Sequence, residues 1–360
     1  MLLIIILVLL VFSALVIAHE FGHFIVAKRN GIRVHEFGVG FPPKLWGKKK
    51  GETEYTINLL PLGGFVRLEG EDNESKGPKS FASKTLWVKT KVLMAGVAVN
   101  ALIAYLIFVW LAATGIPQIF PFKMPSFGFV QPVAAEPSKL LVFQVGEESA
   151  AEAAGLSTGD TLVSINGQAF QNETELKSYT SERKGQTVEI VYVQNKAQKV
   201  RSVTLGSDTE KGILGVVALP QTKEKYAWYA APFAALGLMW QTSIATVMAF
   251  LGAIWALVSQ FRVADEVTGP VGVTAVFGQV IKFGLDYVLV LVASISLSLA
   301  VVNALPLPAL DGGRLFILYL KRFGVPISDK YEGWVHLAGF ALLILFGIII
   351  AISDVGRFFR

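Results

Sequence analysis

The chain has 360 residues, of which 53% are hydrophobic, and a formal net charge of +5. With a mean hydropathy of +0.55, this composition excludes an ordinary soluble domain and indicates a polytopic membrane protein. The sequence contains no cysteine, which excludes disulfide frameworks and cysteine metal sites. The basic residues lie mainly beside apolar runs, so membrane topology explains the positive charge better than nucleic-acid binding does.

The first apolar run, Met1–Ala18, has no charge and continues into the pentad His19–His23. Residues 1–30 are long enough to cross a hydrocarbon core of roughly 30 Å, so they predict the first transmembrane helix. Cleavage of a signal peptide after Ala18 is the alternative, although the run lacks a basic start. Thirteen Lys and Arg stand against seven Asp and Glu between residues 28 and 91. This positive-inside bias predicts that the pentad lies at the cytoplasmic edge of the membrane and the N-terminus outside.

Residues 31–80 predict a small membrane-associated β element followed by a cytoplasmic linker. Glycines and prolines separate three short strand patterns, at Val34–Val39, Tyr55–Leu59 and Phe65–Leu68. The apolar loop between residues 58 and 65 either dips into the membrane or caps the helix ends from the cytoplasm.

Four further regions predict helices. Residues 84–115, 285–322 and 331–356 contain the second, third and last transmembrane helices. Residues 226–283 are ambiguous, because the uncharged stretch Trp228–Val258 is long enough to span. A full crossing there would put the motif near residue 311 on the opposite side from the pentad, so an interfacial helix is predicted. The alternative is that this stretch spans and that the next segment, Val267–Phe283, is re-entrant.

Residues 125–220 lack long apolar runs and predict an inserted α+β domain, which the alternation of spans places outside the cytoplasm. Its segments Ser149–Leu156, Gly159–Leu162 and Ile165–Gly167 resemble those of bacterial PDZ domains. Such domains bind peptides by adding a strand to a sheet edge. The alternative is that the domain only excludes bulky proteins or packs on the core.

The pentad predicts a metal site. Residues four apart share one face of a helix, so His19 and His23 can bind one ion while Glu20 points at a water beside it. A catalytic zinc site has three protein ligands and an open position. The remaining histidines are His35 and His336. Each is predicted to be a structural residue rather than a metal ligand.

Asp311 is the stronger candidate for the third ligand. It ends the run Asn303–Asp311, which follows the third span and contains the helix-ending Pro306 and Pro308. Non-helical backbone at membrane depth is tolerated where it is buried in protein or lines an aqueous cavity. The run therefore predicts a wet pocket that brings Asp311 to the metal, with a helix N-cap as its alternative role. Asn100, inside the second span, either lines this site or bonds a neighbouring helix.

These motifs together resemble the site-2 protease family of intramembrane zinc metalloproteases, in its bacterial regulator-of-sigma-E protease (RseP-like) branch. The resemblance rests on the His-Glu-x-x-His motif at 19–23, the Asn-x-x-Pro-x-x-x-Leu-Asp-Gly pattern at 303–312 and the PDZ-like domain between spans. It implies a Zn2+ ion held by His19, His23 and Asp311, Glu20 as general base, and Asn303 at the substrate or oxyanion. It also implies that the β element holds an unwound substrate. Several members carry two PDZ domains, whereas this chain has room for one.

The predicted fold is a polytopic α-helical membrane protein with about four transmembrane helices, a small membrane-associated β element and one inserted extracytoplasmic PDZ-like α+β domain. The predicted function is that of a zinc-dependent intramembrane endopeptidase that uses a zinc-activated water. It would cleave transmembrane segments of single-span proteins in regulated intramembrane proteolysis, such as anti-sigma factors or signal-peptide remnants.

The predicted partners are these substrates, the lipid bilayer and a peptide or C-terminus at the PDZ-like domain, with no nucleic acid. The predicted location is the bacterial inner (plasma) membrane, with the active site toward the cytoplasm. Two other function classes stay open at this point: an inactive PDZ-bearing scaffold, and a transporter, for which the sequence shows no inverted repeat.

Overall fold

A computed structural model describes residues 2–71, 77–117, 125–135, 139–146, 148–195, 197–206, 213–221, 223–260 and 269–358. The chain forms two compact units. Unit 1 comprises Met1–Ile107, Met239–Phe277 and Val292–Arg360, and unit 2 comprises Phe108–Leu238 and Gly278–Leu291.

The helices and strands follow one another in this order: α1 (Leu2–Arg29), β1 (Val34–Lys50), β2 (Thr53–Leu68), α2 (Leu86–Thr114), β3 (Ile116–Pro117), β4 (Pro132–Ala135), β5 (Lys139–Val145), α3 (Ala150–Ala153), β6 (Thr161–Ile165), α4 (Glu173–Ser181), β7 (Thr187–Gln194), β8 (Ala197–Thr204), β9 (Val216–Gln221), β10 (Lys223–Tyr226), α5 (Ala231–Gln260), α6 (Pro270–Val280), α7 (Leu285–Ala304), α8 (Asp311–Arg322) and α9 (Asp329–Phe358).

Among the described residues, five helices are long and apolar enough to cross a membrane: α1, α2, α5, α7 and α9. The sequence predicts about four, because it treats the α5 region as interfacial. The apolar part of α5 runs without a break over Ala231–Leu257, and its length is sufficient for a full crossing. The interfacial and the spanning interpretations of α5 both remain predictions. Residues 261–268 of the predicted region 226–283 lie outside the described residues.

The β element of unit 1 consists of β1 and β2, which are antiparallel and fold back on each other. Phe37 in β1 lies opposite both Val66 and Tyr55 of β2, so the first half of β1 is flanked by the two halves of β2. Residues 44–50 of β1 pair with residues 53–58. The three predicted strands lie within β1 and β2, but the prediction misses residues 44–50, which contain glycine and lysines, residue types that are uncommon in strands.

The apolar segment of β2 lies beside the middle of α1. The Ser13 hydroxyl donates a hydrogen bond to the Pro61 carbonyl at 2.7 Å and accepts one from the Gly63 N–H at 3.3 Å. A Cβ at Gly63 would lie 2.9 Å from Val16, so the strand and the helix are in close contact. This contact lies before His19 and not at the end of α1. It therefore favours the interpretation that the apolar loop dips into the membrane over the interpretation that it caps the helix ends.

A buried cluster joins the C-terminal end of α1 to the β element and to α2. Its members are Phe24, Ala27, Ile32, Val34, Leu68, Phe81, Val92 and Leu93. Because burial of apolar side chains is the main favourable term in folding, this cluster fixes the end of α1 that carries the pentad.

Unit 2 contains a five-stranded antiparallel sheet in the order β8-β7-β6-β5-β9, accompanied by α3 and α4. A second sheet has the order β3-β10-β4. The core of the larger sheet includes Leu140, Leu162, Ile190 and Tyr192, all nearly inaccessible to solvent. The observed strands coincide with those that the alternating pattern predicts around residues 140–145, 188–193 and 200–205, so the inserted region is an α+β domain.

Candidate metal centre

His19 and His23 lie one turn apart on α1 and are both 6% exposed. Their Nε2 atoms are 3.1 Å from each other, and the rings meet edge to face. The four-residue spacing predicts this shared face. Buried imidazoles in an apolar helix need polar partners, and these partners come from elements far away in the chain.

Asp311, the first residue of α8, brings the third donor atom. Its Oδ2 lies 3.0 Å from His19 Nε2 and 3.3 Å from His23 Nε2, across 292 and 288 residues of sequence. Although burial raises the pKa of the Asp311 carboxyl, the neighbouring imidazoles of His19 and His23 lower it below its usual range. The carboxylate is therefore anionic, as a cation site requires.

The three donor atoms fit a zinc ion. Ligands at tetrahedral zinc, with bonds near 2.1 Å, lie about 3.4 Å from one another, which is close to the three distances found here. His23 Nδ1 lies 2.7 Å from the Val92 carbonyl and donates to it, so Nε2 of the neutral ring carries a lone pair. That lone pair faces a carboxylate oxygen and a second imidazole nitrogen. A bound cation would take the place of the protons that otherwise lie between these atoms.

Helix α2 sets the orientation of both imidazoles. The Val92 carbonyl fixes the His23 ring through Nδ1, an arrangement common for metal-bound histidines. Gly96, one turn further along α2, lies against the face of the His19 ring. A Cβ on Gly96 would be 2.5 Å from His19 Nε2 and 2.6 Å from two ring carbons. The sequence did not predict Gly96 as a site residue, since glycine is common in transmembrane helices and has no side chain to mark a site.

The Asn303–Asp311 run carries Asp311 back to α1 as the sequence predicts for a helix-ending proline motif. Helix α7 ends at Ala304, and α8 begins at Asp311 itself, with Leu310 at the N-cap position. The alternative that Asp311 is the N-cap is therefore wrong, since its carboxylate contacts the histidines instead. A Cβ on Gly313 would lie 1.9 Å from the Leu307 carbonyl, so only glycine allows the turn to pack on α8 this closely.

Glu20 is half-buried beside the cluster. Its carboxylate and the imidazoles of His19 and His23 place one donor atom each within 4.8 Å of one another. Gly64 of β2 lies against Ile17 and Glu20, so the β element borders the same side of α1. A carboxylate next to the two imidazoles and next to a strand is suitably placed to exchange protons with a water or a peptide at this site.

The other predicted site residues are less closely involved. Asn303 is half-buried near the end of α7. Asn100 is 1% exposed, and neither side-chain oxygen nor nitrogen has a hydrogen-bond partner in the described structure. Its backbone carbonyl accepts a bond from the Ser296 hydroxyl at 2.8 Å, which links α2 to α7. The structure therefore brings neither carboxamide into contact with the three donor atoms.

The two remaining histidines do not join the donor set. Within the described residues, the group of potential metal ligands around the pentad contains neither His35 nor His336. His336, on α9, instead accepts a hydrogen bond from the Ala309 N–H at 2.9 Å. Both were predicted to be structural rather than ligating residues.

Most of the chain matches one family of known proteins. The model of peptidase family M50 matches residues 7–346, which includes the pentad and Asp311. The chain belongs to peptidase family M50, the site-2 proteases. Among its relatives, the zinc metalloprotease RasP of Geobacillus kaustophilus is 30% identical over 98% of this chain and 97% of its own length. The regulator of sigma-W protease RasP of Bacillus subtilis is 28% identical, covering 98% of each chain.

A solved PDZ domain of an SdrC-like protein from Listeria monocytogenes is 27% identical, covering 22% of this chain and 85% of its own, with a TM-score of 0.20. The M50 relatives place the chain in the RseP-like branch. The chain is therefore a zinc metalloprotease and a bacterial multi-pass membrane protein. The transporter and the inactive scaffold are therefore not supported.

Proposed function

We propose that this metalloprotease cleaves the transmembrane segments of single-span membrane proteins, with His19, His23 and Asp311 as the zinc ligands. The observation that carries the proposal is the convergence of these three donor atoms to within 3.3 Å, from segments almost 300 residues apart. They lie on α1 and at the start of α8, beside apolar helices that are long enough to cross a membrane. A soluble peptide would not need a site there, whereas a membrane segment would.

The residues around the ion divide the chemistry between them. When bound, zinc supplies a Lewis acid that polarises the scissile carbonyl and lowers the pKa of a water to near neutrality. Glu20, beside His19 and His23, would accept a proton from a water at this site and donate it to the leaving amine. The carboxamide of Asn303 would offer a donor to the developing oxyanion or to the substrate backbone. Asn100 is proposed as a further polar group that lines the site.

The substrate must be partly unwound before attack, because the peptide bonds of a helix are shielded by the helix itself. We place the β element in this role, since the strands next to Glu20 offer backbone groups to an extended chain. The inserted domain is proposed to be extracytoplasmic and PDZ-like, and to exclude bulky ectodomains or to bind new C-termini. The active site then faces the cytoplasm, in keeping with the basic residues between 28 and 91.

The decisive experiment measures zinc content and cleavage in parallel. The purified chain in detergent is incubated with a single-span substrate, together with the variants Glu20→Gln, Asp311→Asn and His35→Gln. We expect Glu20→Gln to keep its zinc and lose cleavage, because only the proton carrier is removed. Asp311→Asn should lose both, and His35→Gln should match the wild type.

Each result bears on a separate part of the proposal. Equal cleavage by the wild type and Glu20→Gln would contradict the role of Glu20, and retention of zinc by Asp311→Asn would contradict the ligand assignment. The role of the inserted domain is tested by fusing a folded domain to the substrate and deleting residues 126–220. Exclusion of the fusion that persists after the deletion would refute the filter.

A further inference from the structure

The turn Pro306–Leu310 holds the ligand Asp311, yet it is irregular backbone. Ala309 has a φ of +73°, in the left-handed region that residues with a side chain rarely adopt. Such a conformation persists where the surroundings hold it in place. Pro306 and Pro308 border a cavity of about 480 Å³, which apolar residues of α8 and α9 also line. Because this cavity leaves the turn incompletely packed, the position of the turn depends on the direct contacts that it makes.

Helix α9 provides these contacts through one face. His336 Nδ1 accepts the hydrogen bond from the Ala309 N–H at 2.9 Å. One turn later, Gly339 lies against Pro308, and a Cβ at that position would be 2.3 Å from the proline Cβ and 2.9 Å from its carbonyl carbon. The acceptor bond requires the imidazole to be neutral, with its proton on Nε2. The bond to Ala309 thus fixes both the turn and the tautomer of His336.

The same face of α9 also holds the far end of α8. Glu332, one turn before His336, forms an ion pair with Lys321 at 2.6 Å, near the C-terminus of that helix. His336 Nε2 lies 3.9 Å from the Glu332 carboxylate. A 12-residue helix is marginal by itself, so its position depends on tertiary contacts. Helix α8 is thereby tied to α9 at both ends, and Asp311 lies at the end that His336 controls.

We infer that His336 is a positioning residue for the metal centre: it holds the turn before α8 so that Asp311 meets His19 and His23. This inference rests on the proposed function, because it takes Asp311 to be a zinc ligand. His336 itself is not a ligand, and its effect passes through the Ala309 N–H. Partners that orient metal ligands change metal affinity by about 10–100-fold when they are removed.

The test compares substitutions at position 336 that differ in where they place an acceptor. In His336→Asn the side-chain oxygen lies close to the former Nδ1, whereas in His336→Gln it lies one bond further out. His336→Leu removes the acceptor and keeps a similar volume. For each variant in detergent, zinc retention is measured against a competing chelator, with thermal unfolding of the helices and the kcat and KM of substrate cleavage. Asp311→Asn and His35→Gln are measured alongside.

We expect His336→Leu and His336→Gln to lose zinc at least about tenfold faster than the wild type. Their kcat should fall while KM changes little, and His336→Asn should recover zinc retention to near the wild-type level. If His336→Leu does not fold, the difference in zinc retention between His336→Asn and His336→Gln still tests the inference. Wild-type zinc retention in His336→Gln, or equal losses in Gln and Asn, would overturn the inference. Zinc retention by Asp311→Asn would instead refute the ligand assignment on which it rests.

Discussion

Replacing Gly96 with alanine tests whether helix packing positions the first zinc ligand. The new Cβ would lie 2.5–2.6 Å from three atoms of the His19 ring, against 3.4 Å or more for an ordinary contact. Either the ring or helix α2 must therefore retreat by about 0.9 Å. His19 is buried next to His23 and Asp311, so the ring has no free space in which to move without leaving the donor cluster.

The consequence of this displacement is larger for zinc than for the fold. Metal sites hold their ligand distances to within about 0.2 Å, which is much less than the required shift. A misplacement of about 1 Å costs on the order of 100-fold in rate. The cost of one extra methyl group in a packed interior is about 1–3 kcal/mol, which lowers the unfolding temperature but leaves the chain folded.

The matched control is Gly252→Ala, because a Cβ on that glycine of α5 meets no atom within 4 Å. Both substitutions add the same methyl group to an apolar helix. We expect Gly96→Ala to lose most of its zinc and cleavage, and Gly252→Ala to keep both and to be as stable as the wild type or slightly more stable. Zinc content, cleavage rate and unfolding temperature are measured on the same preparations. A Gly96→Ala protein with wild-type zinc content would refute the reasoning.

Three further predictions concern the ion and two buried hydrogen bonds. Removing zinc with a chelator should abolish cleavage and leave the helical circular dichroism unchanged, and added zinc should restore the rate; cleavage by the metal-free protein would contradict this. Asp354 is 1% exposed and accepts a bond from the Gly272 N–H at 2.8 Å in the first turn of α6, so Asp354→Ala should lower stability by about 1–2 kcal/mol in thermal unfolding. Asp354→Asn keeps an acceptor and should cost less, whereas equal losses would count against capping. In the inserted domain, the buried Tyr192 hydroxyl donates a hydrogen bond to the Ala154 carbonyl at 3.0 Å. Tyr192→Phe should therefore lower the free energy of unfolding by about 1–3 kcal/mol, and an unchanged denaturation midpoint would contradict this.

The pentad shows what local periodicity can predict. The spacing of His19 and His23 places them on one face of a helix, and the uncharged run before them predicts that the helix is apolar. Both statements depend only on the repeat of α-helix geometry. The direction from which the third ligand arrives depends on how distant helices pack. For Asp311, therefore, the sequence offered a motif and a resemblance, and the contact distances came from the structure.

The features that the sequence analysis missed are those in which the environment decides. Gly96 has no side chain to carry a signal, and its role is the space that it leaves for His19. His336 was predicted to be structural, but its hydrogen-bond partner, the Ala309 N–H, could not be predicted from the sequence. Residues 44–50 form a strand although glycine and lysine are uncommon in strands. Their pairing with β2 outweighs the weak conformational preferences of the single residues.

The three proposed ligands are oriented by two helices of unit 1. Helix α2 fixes His23 through the Val92 carbonyl and confines His19 through Gly96, while α9 holds the turn before Asp311 through His336. A shift of either helix changes the distances between the three donor atoms. Zinc affinity therefore reports the packing of helices that do not touch the ion, since a bound metal stabilises the arrangement that binds it. For any variant in these helices, a loss of cleavage can be assigned to catalysis only after its zinc content has been found unchanged.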